Sequence, residues 1–565
     1  MDRIDKTLLY GILGIIFLKI LLVSIIPAPS AFSDSYIYSK MAESFFNSGE
    51  FSIHGVFTSL FPPLYPIILS LSYIFKDMEK VFLLMKIINV IISTLIFIPA
   101  YLLAREFFDK KKSVIFALLI SIMPSSFAFS GYLMAENLLY PLFLTSFYCI
   151  YRSFNFEGYK FDILAGIFIG LSFLTKVTAV VLLILTFLYL IYKISIKQVK
   201  KKAVLGLFFL LTIAPWVVRN GRLFGFSFEG LTGHYAKEAS LTLNLFQALP
   251  NVGSWTLLYV SFLALASGII FFLMGFGALL SKDKKIRDFS FLVFLSIILL
   301  SFILAIPNIK AISFYDTFLP WLLGRPVGRY IDLVLPLVIL LGFIGFKEYE
   351  KKRTYFGISF SITSFFVIFG SILLFFPLFP VNNVSLTWLG VLNSFIGVLS
   401  GKGLEETSFS LINYVILTVF LSLVLLAIAF LHYNKRLNLK KILPFMFIFF
   451  FISSLGVFAV NYYDSEKYWH KGDLMKAGLW LNNYDSGDYK VLIDERYEGK
   501  IWKKDQSSLY EGNGNKSVTV IGFWINNEIR IGNVEESEDF KYVITKDELD
   551  LRLVHEEGDI KIYSV

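Results

Sequence analysis

The sequence predicts an α-helical polytopic membrane protein with a small soluble α/β domain at its C-terminal end. Hydrophobic residues make up 56% of the 565 residues and charged residues only 17%, whereas soluble domains average about 45–50% and about 25%. A larger core cannot absorb this apolar excess, because single hydrophobic cores stop growing well below this chain length. Lipid must therefore cover the surplus apolar surface.

The apolar residues are clustered into runs that are long enough to cross a membrane. About thirteen runs have roughly the length that spans a hydrocarbon core. They cover residues 7–27, 81–104, 113–130, 135–151, 161–175, 177–192, 203–218, 254–280, 289–306, 331–346, 355–378, 411–432 and 442–460. We expect the first run to be an uncleaved anchor, because its apolar stretch is longer than the core of a usual signal peptide.

The net charge of +9 is carried largely by loops that alternate along the chain. The basic clusters lie at residues 105–112, 193–202, 282–287, 347–353 and 435–441. The positive-inside rule assigns these loops to the cytoplasm. It predicts a multi-pass protein of the cell membrane with a cytoplasmic N-terminus and an extracytoplasmic C-terminal domain. Binding to nucleic acid is not expected, because basic surfaces for nucleic acid are not normally divided by membrane spans.

Two domains are predicted, a transmembrane domain over residues 1–461, with a first outer loop at 28–80, and a soluble domain over 462–565. In the soluble domain, the residue pattern predicts a helix over 472–484, strands at 489–493, 518–523, 540–545 and 559–565, and a short helix over 546–551. About 100 residues can bury a core unaided, so we expect this domain to fold by itself.

The first outer loop contains the first candidate catalytic residue, Asp34. It follows the first span directly, so its carboxylate should lie near the outer membrane boundary, where partial desolvation favours a role as a base. The alternative is an N-cap for a helix from Ser35 onward, since Asp is a preferred cap. Residues 66–75 of the same loop are too few to span, and they predict a helix at the membrane surface.

Glu136 is the second candidate acid, in a tight turn between two spans on the predicted outer side. An acid at membrane depth costs about 2.5–3.5 kcal/mol on insertion scales, and such residues usually face a cavity or a partner. The alternative is a surface acid whose side chain extends to the headgroups.

Five cations lie in or beside apolar runs on the side that the positive-inside rule depletes of basic residues. They are Lys86, Lys176, Arg219, Arg325 and Arg329. A single arginine there would be an interfacial anchor, but five cations indicate a bound anion. The planar fork of arginine matches phosphate well.

Several classes of protein are disfavoured by motifs that the sequence lacks. It has no Walker loop, which removes the case for an ATP-driven pump, and no Asp-x-Asp, which disfavours a metal-bound nucleotide sugar as donor. The one cysteine, Cys149, allows no intramolecular disulfide, and the five histidines are scattered. No metal site is therefore predicted.

Several segments occur in a characteristic order and spacing over roughly residues 1–345. They are Asp34 with Tyr36 to Gly49, residues 62–66, Glu136, residues 170–176, residues 215–220 and residues 328–330. Together they resemble the GT-C class of membrane glycosyltransferases, above all the dolichyl-phosphate-mannose protein mannosyltransferases and the aminoarabinose transferases that modify lipid A. The chain departs from the first group at Ser35, where many members have Glu, and from the second at Phe61, where a lysine precedes Pro-Pro-Leu.

The resemblance implies a GT-C-like fold, a polyprenyl-phosphate sugar as donor, and chemistry at the outer face. It implies that Asp34 is the catalytic base, with Glu136 as the other acid at the site. One base without a separate nucleophile predicts a single inverting displacement. The five cations, with Tyr330, are the candidates to bind the donor phosphate. The reaction requires no cofactor and leaves room for a divalent metal, and the acceptor hydroxyl belongs to a protein, a lipid or a glycan.

Two other functions fit parts of the pattern. Charged residues in spans also mark transport pathways, so a polytopic lipid or solute transporter or flippase is the main alternative. Transporters usually show inverted repeats and charges at the bilayer midplane, whereas here most candidate charges lie at one interface. A receptor whose outer domain binds a ligand is the third possibility, and the acids and cations of the first seven spans argue against it.

Overall fold

The computed structural model describes residues 3–30, 32–226, 245–309, 324–351, 356–376, 378, 381–399, 411–466, 472–485, 487–494 and 517–565. Within them, the chain up to residue 466 forms a bundle of apolar helices, and the C-terminal part forms a mixed sheet flanked by helices. The predicted multi-pass membrane protein with a small C-terminal α/β domain is confirmed.

The helices of the bundle differ widely in length. They are α1 (Arg3–Ser24), α2 (Phe32–Ser48), α3 (Leu64–Ser70), α4 (Met78–Thr94), α5 (Phe97–Arg105), α6 (Lys110–Ser121), α7 (Glu136–Asn155), α8 (Lys160–Thr175), α9 (Val181–Tyr192), α10 (Ile196–Phe224), α11 (Leu245–Ala266), α12 (Ile270–Leu279), α13 (Lys284–Ala305), α14 (Gly328–Ile331), α15 (Leu335–Lys351), α16 (Phe356–Gly370), α17 (Thr387–Leu399), α18 (Leu411–Tyr433) and α19 (Leu439–Asp464). In the described part, eight helical stretches have the length and apolar composition to cross a membrane, and five shorter apolar helices accompany them. The number of thirteen spans stays a prediction.

Two predicted runs are interrupted in the structure. The break expected at Lys176 is confirmed, because this residue has an extended backbone between α8 and the helical turn that leads into α9. The run 254–280 was expected to be one span, and this is wrong, because α11 and α12 are separated at Gly268 and Ile269. Both residues have positive φ, 71° and 65°. Such a φ is strained for a β-branched residue such as Ile269, so packing must impose it.

The basic loops meet at one end of the bundle. Glu106 contacts both Arg152, at 3.0 Å, and Lys285, at 3.1 Å. Lys193 contacts Asp288 at 2.5 Å. These ion pairs join the loops that flank α5, α7, α9 and α13, as expected if all of them lie on one side of the membrane. The end of the bundle that bears α2 and the C-terminal sheet is called the domain end below.

The first outer loop folds onto the domain end. It consists of α2, a short hairpin of β1 (Ser52–Ile53) and β2 (Val56–Phe57), and α3. The helix predicted over residues 66–75 is confirmed, because α3 continues as a 3-10 helix over Leu71–Ile74. Its position at the membrane surface stays a prediction. Tyr38 of α2 stacks on Phe61 with a ring-centre distance of 4.8 Å. The loop is therefore an ordered layer that covers the helix ends.

The C-terminal domain contains a five-stranded mixed sheet in its described part. Its elements are α20 (Asp473–Tyr484), β3 (Lys490–Asp494), α21 (Ser517–Trp524), β4 (Glu528–Gly532), β5 (Tyr542–Thr545), β6 (Arg552–Glu557) and β7 (Ile560–Ser564). The strand order is β4-β3-β5-β7-β6. β3 pairs in parallel with β4 and β5, whereas β7 is antiparallel to β5 and β6.

The structure corrects part of the predicted secondary structure of this domain. The helix over 472–484 and the strands at 489–493, 540–545 and 559–565 are confirmed within a few residues. The strand predicted over 518–523 is helix α21, and no helix forms over 546–551. Strands β4 and β6 were not predicted.

The C-terminal domain shares its hydrophobic core with the first outer loop. One continuous cluster of buried side chains includes Met41 and Tyr65 from the loop and Ile493, Ile521 and Trp524 from the domain. Cutting the chain between the two predicted domains would expose this surface. Independent folding of residues 462–565 would leave this apolar surface without its partner, and it stays a prediction.

Candidate active site

Asp34 lies in the first turn of α2, at the domain end of the bundle. Because α2 begins before this residue, Asp34 is inside the helix and does not occupy the N-cap position that the sequence left open. The segment before α2 is held by α19, where Asn461 hydrogen-bonds the Ser30 hydroxyl. The Asp34 side chain keeps 21% of its surface exposed. Its carboxylate is thus held in place and accessible.

Glu136 is the first residue of α7 and follows a turn that side-chain amides hold closed. Asn137 donates to the carbonyl of Tyr132 at 2.9 Å. Asn461 donates to the carbonyl of Gly131 at 3.1 Å, and a Cβ at Gly131 would lie only 2.8 Å from that amide nitrogen. Asn461 therefore connects the segment before α2 with the turn before α7, a role that the sequence did not suggest.

Four of the predicted site residues form one charge cluster, which consists of Asp34, Glu136, Lys176 and Arg329. Arg329 lies between the two acids, with Nη2 3.7 Å from Asp34 Oδ2 and Nε 3.4 Å from Glu136 Oε1. Lys176 donates to Glu136 Oε1 at 2.5 Å. The Lys176 ammonium also lies 4.5 Å from the ring centre of Tyr330, a cation–π distance. These residues come from four separate segments of the chain.

The backbone around Arg329 is fixed by side chains that the sequence did not single out. The Tyr140 hydroxyl donates to the carbonyl of Arg329 at 2.8 Å. The N–H of Gly328 donates to Asn383 Oδ1 at 3.0 Å. A Cβ at Gly328 would lie 2.1 Å from the ring of Phe262, so only glycine allows this approach. Tyr140 and Asn383 therefore hold the backbone from which the Arg329 side chain extends.

The charge cluster contains buried groups with unused hydrogen-bonding capacity. In the described part of the chain, Nε and Nη1 of Arg329 and Oε2 of Glu136 are buried without a hydrogen-bond partner. Glu136 is fully buried and its negative charge is stabilised by Lys176 and Arg329. Among the residues that the structure describes, Asp34 has the long contact to Arg329 as its ion pair. Asp34 is thus the more accessible of the two acids, and Arg329 has N–H groups without hydrogen-bond partners among the described residues.

Tyr38 lies beside the cluster and was not predicted as a site residue. Burial, and then the negative charges of Asp34 and Glu136, raise the pKa of Tyr38 well above its usual range, so the phenol stays protonated. The ring packs edge-on against Tyr65, with ring centres 5.0 Å apart, and stacks on Phe61. The segment around Pro62 and Pro63 therefore packs against α2 through these ring contacts.

Lys86 and Arg219, two of the predicted phosphate ligands, contact backbone carbonyls elsewhere. Lys86 donates to the carbonyl of Ile26 at 2.5 Å, where a cation suits the C-terminal end of α1. Arg219 donates to the carbonyls of Thr58 at 3.0 Å and Phe51 at 2.9 Å, which joins the first outer loop to α10. The structure therefore gives both cations structural contacts and does not bring them to the charge cluster.

Arg325 lies near the charge cluster without a direct contact to its acids. Its backbone N–H donates to Asn308 Oδ1 at 3.3 Å. Burial, and then the positive charge of Arg329, lower the pKa of Arg325. Among the residues that the structure describes, no group of three or more His, Cys, Asp or Glu side chains is placed to hold a metal ion.

The charge cluster predicts a large cost for removing Glu136. Glu136→Gln would leave Lys176 and Arg329 buried without their shared counter-charge, and breaking such a pair costs about 3–5 kcal/mol. The thermal midpoint of the purified protein should therefore fall clearly, and Glu136→Gln/Lys176→Met should regain part of the loss. Glu157→Gln is the control, because its pair with Lys197 is solvent-exposed. Equal midpoints for Glu136→Gln and Glu157→Gln would contradict the buried ion pair.

Comparison with known proteins addresses the fold. Residues 61–218 match the profile of the family described as dolichyl-phosphate-mannose-protein mannosyltransferase. A search of curated protein sequences gives no significant match. Among solved structures, ArnT from Cupriavidus metallidurans bound to undecaprenyl phosphate is similar, with a TM-score of 0.58 and 11% identity over 100% of this chain and 98% of that chain. The apo state of ArnT gives a TM-score of 0.55 and 10% identity over 99% and 98%.

The similarity to ArnT extends over nearly the full length of both chains, so it includes the helix bundle, the first outer loop and the C-terminal domain. At this low identity it shows a shared fold. The matched family segment independently contains Glu136 and Lys176 of the charge cluster. The chain therefore has the fold of ArnT, in agreement with the GT-C-like fold that the resemblance implied.

Proposed function

We propose that the protein is a glycosyltransferase that moves a sugar from a polyprenyl-phosphate donor to an acceptor hydroxyl. The observation that carries this proposal is the buried Arg329, which lies between Asp34 and Glu136. Among the described residues its Nη1 has no hydrogen-bond partner, and its Nε has only the ion-pair contact to Glu136. A guanidinium with free N–H groups matches a phosphate. The similar ArnT structure contains undecaprenyl phosphate, which supports a lipid phosphate as the ligand of this fold.

The proposed reaction is a single displacement at the anomeric carbon. Asp34 accepts the proton of the acceptor hydroxyl while that oxygen forms its bond to the anomeric carbon. The bond from this carbon to the phosphate oxygen breaks, and polyprenyl phosphate leaves with the electron pair. Because the attack and the departure occur on opposite faces of the sugar, the anomeric configuration inverts. Asp34 is the base because it is the accessible acid of the cluster.

Arg329 and Lys176 neutralise the leaving phosphate in this proposal. Fixed cations at the place where negative charge develops stabilise a transition state without reorganisation. Tyr330 lies under the Lys176 ammonium and directs it toward the cluster. Glu136 has the task of holding both cations, since its own carboxylate is already paired. Lys86 and Arg219 are left with structural roles.

The transferred sugar is proposed to be a hexose or a pentose, and the acceptor hydroxyl belongs to a protein, a lipid or a glycan. The two cations of the cluster can neutralise the phosphate, so the proposed mechanism requires no divalent metal. The direct test is to incubate purified protein with radiolabelled polyprenyl-phosphate sugars and membranes, with and without EDTA. Label should move to an acceptor in both conditions. Movement of the donor across the bilayer without transfer would indicate a flippase instead.

We also propose that the domain end faces away from the cytoplasm. The ion pairs of Glu106 and Lys193 gather basic loops at the opposite end of the bundle. Under the positive-inside rule that opposite end is cytoplasmic. The charge cluster and the C-terminal domain then lie on the extracytoplasmic side, where a lipid-linked donor needs neither ATP nor a nucleotide sugar.

This orientation predicts the behaviour of reporter fusions. Alkaline phosphatase fused after Val565 should be active, because it folds only outside the cytoplasm, and a fluorescent protein that matures only in the cytoplasm should stay dark. The same reporters inserted between Lys282 and Asp283, in the basic loop before α13, should give the reverse pattern. A bright fluorescent fusion at Val565 would contradict the orientation.

The proposed base predicts a defect in the rate of transfer alone. Asp34→Asn keeps the shape of the side chain but removes its ability to accept a proton, so transfer should slow by about 10²–10⁴-fold. Folding and donor affinity should be retained, as judged by the thermal midpoint and by binding of labelled donor. Asp77→Asn is the matched control, because Asp77 is the N-cap of α4 and Asn caps equally well. Normal turnover in Asp34→Asn would move the base to Glu136.

The proposed phosphate ligand predicts a defect in donor use. Arg329→Lys keeps the charge but loses the fork, and losing a charge-assisted hydrogen bond costs about 1.5–3 kcal/mol. The KM for the donor should therefore rise roughly 10–100-fold, and Arg329→Ala should be worse. Arg222→Lys is the control, since this arginine is exposed at the end of α10. Unchanged donor affinity and turnover in Arg329→Ala would rule out the assignment.

A further inference from the structure

We propose that the C-terminal domain positions the catalytic helix α2, and that Lys40 is the positioning residue through which it does so. The proposal rests on the proposed function of Asp34, and it assigns a task to a domain that the transfer reaction itself does not use. The proposal follows from the two faces of α2, from the contacts of Lys40, and from the close approach of the segment 521–527 to α2 and to His54.

Helix α2 lies between the charge cluster and the C-terminal domain. Successive residues of a helix are about 100° apart, so Asp34 and Tyr38 lie within roughly 40° of each other on one face. Tyr36, Lys40 and Glu43 lie on the opposite face, roughly 180–240° away. On the first face, Asp34 contacts Arg329 of the charge cluster, and the second face contacts the C-terminal domain. A shift of the domain would therefore move Asp34.

Lys40 is a buried cation whose three N–H donors all have acceptors. It donates to Glu43 Oε2 at 2.8 Å, to the backbone carbonyl of Ile525 at 2.7 Å and to Asn526 Oδ1 at 3.4 Å. Only 2% of its surface is exposed. A buried ammonium tolerates no loss of these partners without a large cost. The Lys40 contact thus fixes the distance between α2 and the residues that follow α21.

Other contacts fix the same interface from the side of the first outer loop. His54 Nδ1 lies 2.5 Å from the carbonyl of Asn527. Burial, and then the charge of Lys40, lower the pKa of His54 to about 3, so the neutral ring donates through Nδ1–H. A Cβ at Gly522 would lie 3.0 Å from the Tyr36 ring and 3.2 Å from His54 Nε2. The two surfaces therefore touch without space for an added side chain.

The proposal predicts that Lys40 variants lose turnover while keeping donor affinity. The donor phosphate is held by Arg329 and Lys176, which are not on α2, but a misplacement of the base by about 1 Å can cost 10²-fold in rate. Lys40→Met should lower kcat about 10–100-fold at an unchanged KM for the donor. The double variant Lys40→Met/Glu43→Gln removes the unpaired Glu43 charge, and it should stay slow because the link to Ile525 is still missing.

A second test variant and a control variant check the proposal further. Gly522→Val should push α2 away through contacts that do not involve Lys40, and it should give the same defect in kcat alone. Lys80→Met is the control, because Lys80 is a solvent-exposed lysine at the start of α4. Normal kcat in the double variant and in Gly522→Val would overturn the proposal. So would a parallel loss of kcat, donor affinity and folded protein, which would indicate a general effect on folding.

Hydrogen exchange separates this proposal from the proposed function. If the full-length protein shows no transfer with any donor, the function is wrong, but the exchange of backbone amides in α2 still reports its attachment. Lys40→Met and Gly522→Val should speed amide exchange within residues 32–48 at least tenfold relative to Lys80→Met. The exchange in α7 and α15 should be unchanged. Equal exchange in α2 of all three variants would overturn the role of the domain.

Discussion

The guanidinium of Arg329 is almost fully buried at the end of a lipid-covered helix bundle, and much of the surrounding structure follows from that fact. An unpaired charge in such a place costs several kcal/mol. The two acids beside it come from α2 and α7, and Lys176 comes from the break after α8. These elements must therefore converge within a few ångströms. A small displacement of any of these elements would leave a charge without a partner.

The sequence singled out the four charged residues that the structure brings together, but it did not show which residue each one contacts. Asp34, Glu136, Lys176 and Arg329 stand out because charges near membrane depth need a reason, and the structure brings them together. Lys86 and Arg219 meet the same criterion, but the structure gives them backbone carbonyls as partners. Sequence shows that a cation is buried, whereas only the packing of distant segments shows whether its acceptor is a carboxylate or a peptide oxygen.

Neutral supporting residues were beyond the reach of sequence reasoning for a related reason. Tyr140, Asn383 and Asn461 are ordinary polar residues in or beside apolar helices, and none of them breaks a pattern. Each acts by hydrogen-bonding the backbone of a segment that is far away in the chain. The backbone group that takes part in such a bond has no side-chain signature in the sequence. The sequence thus identifies charged groups of the site more readily than the framework that holds them.

The errors in the C-terminal domain have a different physical cause. Residues 518–523 are mostly β-branched and aromatic, a composition that favours strands, yet they form helix α21, which packs against α20 and α2. Tertiary contacts outweigh a propensity of this size. Strands β4 and β6 lie at the two edges of the sheet, where charged residues are usual and hide the alternation of a buried strand. The buried residues of the central strands β3 and β5 are not masked by charges in this way, and both strands were predicted.

The place of Arg329 between an acid and the proposed phosphate site also explains how the same cation can serve both the proposed base and the leaving group. The proposed donor is a phosphodiester with one negative charge, and the product polyprenyl phosphate has two. In the proposed reaction, Asp34 loses its negative charge when it takes the proton, and its attraction to Arg329 falls. The total charge of the site stays constant while one negative charge moves from Asp34 to the phosphate. Arg329 lies 3.7 Å from Asp34 and has N–H groups without hydrogen-bond partners among the described residues. Its guanidinium can therefore interact first with Asp34 and then with the phosphate while its backbone stays in place.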